Sequence, residues 1–299
     1  MQRILVPGRN GQVGWELQSA LAPLGTVVGL DIDQMDLADP DSIRRVVRDA
    51  RPEIIVNAAA YTAVDKAESE PELAMRVNGV APGILAEEAK RLSALLLHYS
   101  TDYVFDGELG RPYREDDAPN PVNAYGESKL AGERAIEAVG GQYLILRTSW
   151  VYSARGSNFV LTVLRLAREK PELAMVNDQS GSPTWARWLA HATAELLRKR
   201  DVVAHRGGIY HLAATGHATR YDFATAIIDT MKQVSGDSRG WAKLKPISTD
   251  QYPLPARRPP RPVMRMDKIA QAFGVTPPHW QEQLHGFLEE LAKRPRLGV

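Results

Sequence analysis

The fold of this chain is decided near its N-terminus by the stretch Ile4-Leu5-Val6-Pro7-Gly8-Arg9-Asn10-Gly11-Gln12-Val13-Gly14. Its apolar start predicts a buried strand, and the apolar residues that follow Gly14 have a helical spacing. The three glycines permit a tight turn and let a ligand approach the backbone where the helix begins. Free N–H groups and the helix dipole favour anions there. Although the spacing is GxxGxxG rather than GxGxxG, residues 8–14 are predicted to bind a dinucleotide.

Two charged residues give conflicting signals about the dinucleotide. Asp31 ends the second predicted strand, twenty residues beyond Gly11, where an acid normally binds the ribose hydroxyls of NAD. Arg9 lies inside the glycine loop and suits the 2′-phosphate of NADP. NADPH and NADH therefore both stay open as cofactors. We also predict that Asp36 and Leu37 lie beside the adenine.

Strand and helix patterns alternate along the first half of the chain. Apolar runs without alternation, such as residues 54–56 and 95–97, are typical of strands that are buried on both faces. This order predicts an α/β fold with a Rossmann-type, doubly wound parallel sheet. We place an NAD(P)-binding domain at residues 1–151 and a smaller mixed α/β substrate domain at 152–299, with segments crossing back between them. The small residues Ala58, Ala59 and Ala60 after the third strand let a cofactor lie against the sheet.

Composition excludes several classes of function. The 299 residues are 44% hydrophobic and 24% charged, which is typical of a globular protein. The chain has no cysteine, so disulfides, thiolate metal sites and a cysteine nucleophile are excluded. A net charge of +1 gives no reason to expect nucleic acid, and no apolar run is long enough for a membrane span. We expect a soluble, cytoplasmic protein. The histidines lack metal-ligand spacing, so no catalytic metal is predicted.

Tyr125 and Lys129 form a YxxxK motif at the start of a predicted helix. Residues four apart share a helix face, so the ammonium can lower the phenol pKa from about 10 toward working pH. The tyrosine can then exchange a proton with a carbonyl or an alcohol. The hydroxyl of Thr101, at the end of a predicted strand, can bind the same oxygen. An ordinary exposed helix face is the alternative interpretation of the motif.

These motifs together resemble the extended short-chain dehydrogenase/reductases that act on nucleotide sugars. Further stretches are similar to the dTDP-4-dehydrorhamnose reductase family, and the resemblance runs from residue 4 to at least 262. The stretches are Gly11-Gln12-Val13-Gly14, Ser100-Thr101-Asp102-Tyr103-Val104-Phe105, Arg147-Thr148-Ser149-Trp150-Val151-Tyr152, Asn177-Asp178-Gln179 with Gly181 and Pro183-Thr184, and Pro255-Ala256-Arg257-Arg258-Pro259.

The resemblance implies reduction of the C4 keto group of dTDP-4-dehydro-β-L-rhamnose, usually with NADPH, as the last step of dTDP-L-rhamnose synthesis for cell-surface polysaccharide. It implies that Tyr125 donates the proton, that Lys129 tunes Tyr125 and holds the nicotinamide ribose, and that Thr101 fixes the keto oxygen. It also places Asp102 and Trp150 against the sugar. Ala60, Tyr61 and Thr62 would line the cofactor.

Two further features of the second half have two interpretations each. Residues 252–262 are rich in proline and arginine, which is typical of a surface linker but also suits a clamp in which Arg257 or Arg258 binds the diphosphate. Some members of the family use Mg²⁺ at a subunit interface, and Glu289 and Glu290 are candidate ligands unless they are simply solvated. A homodimer is one option for the oligomeric state.

Two other functions remain as alternatives. A nucleotide-sugar epimerase or dehydratase would retain its NAD⁺, but such enzymes tend to carry a glutamate where this chain has Tyr103, and Gly-Pro after the later strand-end tyrosine. A regulatory subunit resembling the β subunit of methionine adenosyltransferase would bind without catalysis. The complete set of Thr101, Tyr125 and Lys129 favours the reductase.

Overall fold

The computed structural model describes residues 2–293 as a three-layer α/β body that carries a second, smaller lobe. The strands are β1 (Gln2–Pro7), β2 (Gly25–Leu30), β3 (Ile54–Asn57), β4 (Leu95–Thr101), β5 (Tyr143–Thr148), β6 (Val151–Tyr152), β7 (Glu172–Val176), β8 (Ser180–Gly181), β9 (Thr184–Trp185), β10 (Gly208–His211), β11 (Ala218–Thr219) and β12 (Lys243–Ile247). The helices are α1 (Gln12–Leu21), α2 (Pro40–Ala50), α3 (Val64–Ala67), α4 (Pro71–Met75), α5 (Ala81–Arg91), α6 (Ala124–Val139), α7 (Phe159–Glu169), α8 (Ala186–Arg198), α9 (Arg200–His205), α10 (Arg220–Ser235), α11 (Asp267–Phe273) and α12 (Trp280–Lys293).

The main sheet has six parallel strands in the order β2-β1-β3-β4-β5-β10. The chain leaves β1 in one direction for β2 and returns in the other for β3, which makes a crevice at the carboxyl ends of these strands. The predicted Rossmann-type fold is confirmed. The strand β10 comes from the second half of the sequence and pairs with β5. The division into domains at residue 151 stays a prediction.

Helices bury both faces of this sheet. On one face α1 packs against α8, and on the other α2, α5 and α6 lie side by side. The smaller lobe has its own core between α7, α10 and α12, centred on Tyr152, Phe223 and Phe287. Within residues 2–293, no helix is both long enough and apolar enough to cross a bilayer.

A buried ion pair fastens α6 to the sheet. Glu133 of α6 and Arg147 of β5 are each 1% exposed, and their carboxylate and guanidinium make two contacts, of 2.6 and 2.9 Å. The hydroxyl of Ser100 on β4 donates to the same carboxylate. Because one carboxylate joins α6 to both β4 and β5, it fixes the helix that carries Tyr125 and Lys129 against the strand that ends at Thr101.

Removing one partner of this pair is expected to destabilise the fold strongly. Glu133→Gln leaves the Arg147 guanidinium buried without a counter-charge, which costs about 3–5 kcal/mol in the free energy of unfolding. The double variant Glu133→Leu/Arg147→Met removes both charges and should recover most of that loss. Urea unfolding of the single and double variants measures both values. If the double variant lost as much free energy of unfolding as the Glu133 and Arg147 single variants lose together, this account would be contradicted.

Candidate active site

The glycine loop is folded tightly against the end of β3. Gly8 has a φ of +83°, and a Cβ there would lie 2.7 Å from the backbone nitrogen of Ala59. A Cβ at Gly14 would lie 2.0 Å from the Gly8 carbonyl oxygen, so the backbone itself requires glycine at both positions. At Gly11 the nearest atom to a Cβ is 3.2 Å away, and no side chain caps the first N–H groups of α1. This open helix start fits an anionic pyrophosphate.

The other residues of the loop have separate roles. Asn10 is exposed, and Val13 packs partly buried on the core under the loop. The side-chain oxygen of Gln12 accepts a 3.1 Å hydrogen bond from Asn158, at the start of α7 in the smaller lobe. The glycine loop is therefore also a point where the two lobes touch.

The two residues with conflicting signals for the dinucleotide lie together at the end of β2. The Asp31 carboxylate accepts hydrogen bonds from the N–H groups of Asn10 (3.1 Å) and Ile32 (2.8 Å). The Arg9 guanidinium makes one long hydrogen bond, 3.3 Å, to the carbonyl of Gly29. The Asp31 carboxylate is fixed by two hydrogen bonds, whereas the Arg9 guanidinium has one long hydrogen bond. Arg9 can therefore reorient toward a 2′-phosphate more easily than Asp31 can move out of the way of that phosphate.

The residues predicted beside the adenine and the ribose lie along the ends of β2 and β3. The Asp36 carboxylate accepts a 2.8 Å hydrogen bond from the Ala38 N–H, and the Leu37 side chain is buried in the core. Ala58 is hydrogen-bonded to the backbone of β1, and Ala60 and Thr62 lie in the partly exposed loop after β3.

Tyr61 is fixed in that loop by two partners. Its backbone is held on both sides by the Asn78 side chain, at 2.8 and 2.9 Å. Its phenol donates to Glu70, and this hydrogen bond raises the pKa of Tyr61 to about 12. The phenol therefore stays protonated, with its hydrogen bond directed at Glu70.

Thr101, Tyr125 and Lys129 converge where β4 ends and α6 begins. The Asn123 side chain caps α6 by accepting a 2.8 Å hydrogen bond from the Gly126 N–H, and it donates at 2.7 Å to the Arg257 carbonyl. Burial raises the pKa of Tyr125, and a hydrogen bond with Thr101 lowers it in part. Burial lowers the pKa of Lys129 to about 8.

Asp102 lies directly beneath this set and is 1% exposed. It accepts hydrogen bonds from the hydroxyls of Ser149 (2.6 Å) and Thr101 (3.1 Å). Burial raises its pKa to about 6, against the effect of these two hydrogen bonds. Its contacts in the structure are with protein groups that orient Thr101, and its predicted contact with a sugar stays a prediction.

Trp150 is held in an unusual backbone conformation at the junction of the two lobes. Its φ is +45°, which is rare for a bulky residue and is often found at functional sites. A Cβ at Gly181 would lie 2.2 Å from the indole, so only glycine leaves room for the ring. The Arg220 guanidinium stacks 3.8 Å above the ring centre. The indole is thus clamped beside the strand end that carries Thr101.

The two arginines proposed for a diphosphate have different surroundings. The Arg258 side chain is 12% exposed and binds both oxygens of Asp65, at 3.0 and 2.8 Å. The Arg257 side chain is 67% exposed and faces Glu108 at 3.3 Å. Burial raises the pKa of Tyr103 in the site, and of these two arginines it is Arg258 whose charge acts against that shift. The structure therefore brings Arg258, rather than Arg257, to the site.

Arg220 is a functional candidate that the sequence analysis missed. It opens α10, and its guanidinium lies close enough to Tyr103, Asp102 and Arg258 for their charges to affect its pKa. Burial lowers its pKa, and Arg258 acts in the same direction. No carboxylate of residues 2–293 lies within ion-pair distance of it. No motif marks this position, because only the packing of the smaller lobe onto the strand ends brings it to the site.

The proline-rich segment forms one wall of a groove next to these arginines. The groove has a volume of about 420 Å³. Its lining residues are Glu108, Asp178, Gln179, Thr249, Tyr252, Pro253, Leu254, Ala256, Arg257, Arg258 and Pro260. Tyr252 and Leu254 are 56% and 42% exposed there, so the groove offers an aromatic and an apolar surface.

The acidic pair on α12 does not gather further ligands. Glu290 is bound by Arg187, which also holds Glu16 at 2.9 Å, and Glu289 faces His285 at 3.4 Å. In the part of the chain from residue 2 to 293, no group of three or more His, Cys, Asp or Glu residues is placed to hold a metal.

Comparison with known proteins identifies the family. The model of the RmlD substrate binding domain matches residues 1–293. A dTDP-4-dehydrorhamnose reductase from Burkholderia thailandensis is 49% identical over 284 residues, covering 93% of this chain and 95% of that protein. Crystal structures of such reductases from Clostridium acetobutylicum (TM-score 0.89) and, in complex with NADP, from Bacillus anthracis (0.86) are each 34% identical and cover 97% of this chain and 99% of theirs.

The family model spans nearly the whole chain, and the fold and the strand-end motifs agree with it. The resemblance predicted from the motifs is therefore confirmed, and this chain belongs to the RmlD substrate binding domain family.

Proposed function

We propose that this protein reduces the C4 keto group of dTDP-4-dehydro-β-L-rhamnose to the alcohol of dTDP-L-rhamnose, using a reduced nicotinamide dinucleotide. The observation that carries the proposal is the convergence of Thr101, Tyr125 and Lys129 beside a glycine cradle with an open helix start. Relatives 49% and 46% identical are dTDP-4-dehydrorhamnose reductases. Consumption of NADPH by the purified protein with this keto sugar, and with no other component, is the direct test.

The chain's own residues account for the proton in this reaction. When bound, the cofactor supplies a hydride to the carbonyl carbon. Tyr125 gives its phenol proton to the developing alkoxide, so that one hydride and one proton convert the ketone to an alcohol. Lys129 stabilises the phenolate that remains. Thr101, whose hydroxyl donates to Asp102 in the structure, would turn that proton to the same oxygen and keep it in line with the phenol.

NADPH is the cofactor that we propose, with NADH as a second donor. A relative 34% identical binds NADP. In this chain Arg9 is free to turn toward a 2′-phosphate, whereas the Asp31 carboxylate is hydrogen-bonded at the place where NAD ribose hydroxyls would bind. Both cofactors can therefore be accepted, with the arginine favouring the phosphorylated one.

We place the diphosphate of the sugar nucleotide between Arg220 and Arg258. These two cations face each other without sharing a counter-ion, and an anion between them would relieve their repulsion. The groove lined by residues 252–258 continues from this point and suits the nucleoside. The sugar would then lie on Trp150, next to Thr101.

Replacing Tyr125 by Phe is expected to lower kcat by about 10²–10⁴-fold, because the proton donor is lost while the ring still packs on Tyr103. Cofactor affinity, measured by fluorescence titration with NADPH, should stay nearly unchanged. Tyr61→Phe is the matched control, since that phenol is engaged with Glu70. Full turnover in Tyr125→Phe would show that another group donates the proton.

Cofactor preference should follow the two charges at the end of β2. Arg9→Ala removes the cation and is expected to lower the ratio of kcat/KM for NADPH to that for NADH by about tenfold. Asp31→Asn removes the anion that repels a 2′-phosphate and should raise the same ratio. Steady-state kinetics with both cofactors measures the ratio. If the ratio were the same in the wild type and in both variants, neither Arg9 nor Asp31 would contribute to the discrimination between NADPH and NADH.

Arg220→Gln is expected to raise the KM for the nucleotide sugar by roughly ten- to a hundredfold, since a charged hydrogen-bond partner of the diphosphate is lost. The KM for NADPH should hardly change. Arg257→Gln, at the exposed neighbour of Arg258, is the control and should have a much smaller effect. If the two variants behaved alike, the diphosphate would lie elsewhere.

A further inference from the structure

A series of buried polar side chains connects Lys129 to the glycine loop of residues 8–14. In the register of the sheet Asn57 of β3 lies opposite His98 of β4. The Asn57 side-chain nitrogen is 3.0 Å from Nδ1 of His98, and Nε2 of the same ring is 3.1 Å from Nζ of Lys129. Each of the three residues is 1% exposed, so water does not compete for these contacts. No sequence motif assigns a function to His98.

The hydrogen bonds fix which nitrogen of His98 carries the proton. The Asn57 amide oxygen accepts a 3.2 Å hydrogen bond from the Ala59 N–H, which turns the amide nitrogen toward the imidazole. Burial, and next the charge of Lys129, hold the pKa of His98 well below its usual value. The ring is therefore neutral and has one N–H. Since Nδ1 accepts from Asn57, the proton is on Nε2 and faces Lys129.

This orientation matters for the protonation state of Lys129. An ammonium group has three donors and no acceptor, so it is opposed by an N–H directed at it. A neutral amine can accept that N–H with its lone pair and still donate to the Tyr99 carbonyl, 2.7 Å away. Burial lowers the pKa of Lys129 in the same direction, and Glu133 opposes the shift.

The other ionisable groups around this pair come from three elements. Glu133 lies one turn further along α6 and is already bound by Arg147 of β5 and by Ser100 of β4. Tyr125 lies one turn before Lys129 on α6, Tyr99 follows His98 on β4, and Asp102 comes just after β4. Because the Glu133 carboxylate is taken up by these partners, His98 is the group that contacts Nζ directly.

We propose that His98 is a positioning residue. In the tautomer fixed by Asn57, it holds the Lys129 side chain beside Tyr125 and makes the Lys129 ammonium easier to deprotonate. The Lys129 ammonium can then return a proton to the Tyr125 phenolate after each turnover, and the amine that remains is protonated again by water when product and cofactor leave the site. The same Asn57 amide braces Ala59, against which Gly8 packs. The same series of buried hydrogen bonds therefore fixes the positions of both the glycine loop and Lys129. The kinetic consequence rests on the proposed reductase function, whereas the tautomer is a property of the protein alone.

The variant His98→Asn tests the contact with Lys129. Its amide can keep a polar atom near Asn57 but is too short to reach Nζ, so the pKa of Lys129 should rise by roughly one unit. The ammonium supports catalysis, and activity falls as pH rises through that pKa. The alkaline limb of kcat/KM for keto-sugar reduction should therefore move to higher pH by about the same amount.

Thr193→Val is the matched control for this variant. It breaks another buried hydrogen bond, to the Tyr99 hydroxyl at 2.5 Å, without touching Lys129. It should lower the unfolding midpoint but leave the alkaline limb in place. A merely structural role for His98 predicts that His98→Asn behaves in the same way.

The tautomer is read without any substrate by long-range ¹H–¹⁵N NMR of ¹⁵N-histidine protein, with the His98 signals assigned by their loss in His98→Asn. Wild type should show a protonated Nε2, and Asn57→Asp, whose carboxylate accepts from Nδ1, should move the proton to Nδ1. A protonated Nδ1 in the wild type, or an unmoved alkaline limb in His98→Asn, overturns the proposal. Wild-type protein with the expected tautomer but no keto-sugar reduction overturns the proposed function and keeps the inference.

Discussion

The site depends on the docking of α6 against the carboxyl ends of β4 and β5. Two buried cations and one buried carboxylate make this contact: Lys129 on the Tyr99 carbonyl, and Glu133 with Arg147. Charges removed from water are unfavourable unless their partners are well placed, so a small shift of the helix would leave at least one of them uncompensated. The position of Tyr125, one turn before Lys129, is thereby defined as sharply as a position in the core.

This docking places catalytic and structural groups in one low-dielectric layer. Burial lowers the pKa of Lys129 to about 8 and raises that of Asp102 to about 6, so the two groups move toward each other on the pH scale. Groups with pKa values near neutrality exchange protons readily, whereas at their usual values both would stay charged. The packing that fixes the helix therefore also shifts the pKa values of the groups around it.

The sequence predicts the parts of this arrangement that are local. The glycine loop, the parallel sheet and the Tyr125–Lys129 pair each follow from spacing within one or two elements. Arg220 and His98 could not be found in this way. Arg220 reaches the site only because the smaller lobe folds back over Trp150, and His98 is a strand residue whose partner lies across the register on β3. Lobe packing and cross-strand register are long-range properties, and no spacing within one stretch contains them.

The role of the smaller lobe follows from charge. With 37 basic and 36 acidic residues the chain has no general attraction for an anion. We infer that Arg220 supplies a local one, because its guanidinium stacks on Trp150 and no carboxylate among residues 2–293 lies within ion-pair distance of it. A cation in a low-dielectric site attracts an anion far more strongly than one in water. The strained backbone of Trp150, with Gly181 making room for its ring, then supports the indole on which this guanidinium stacks.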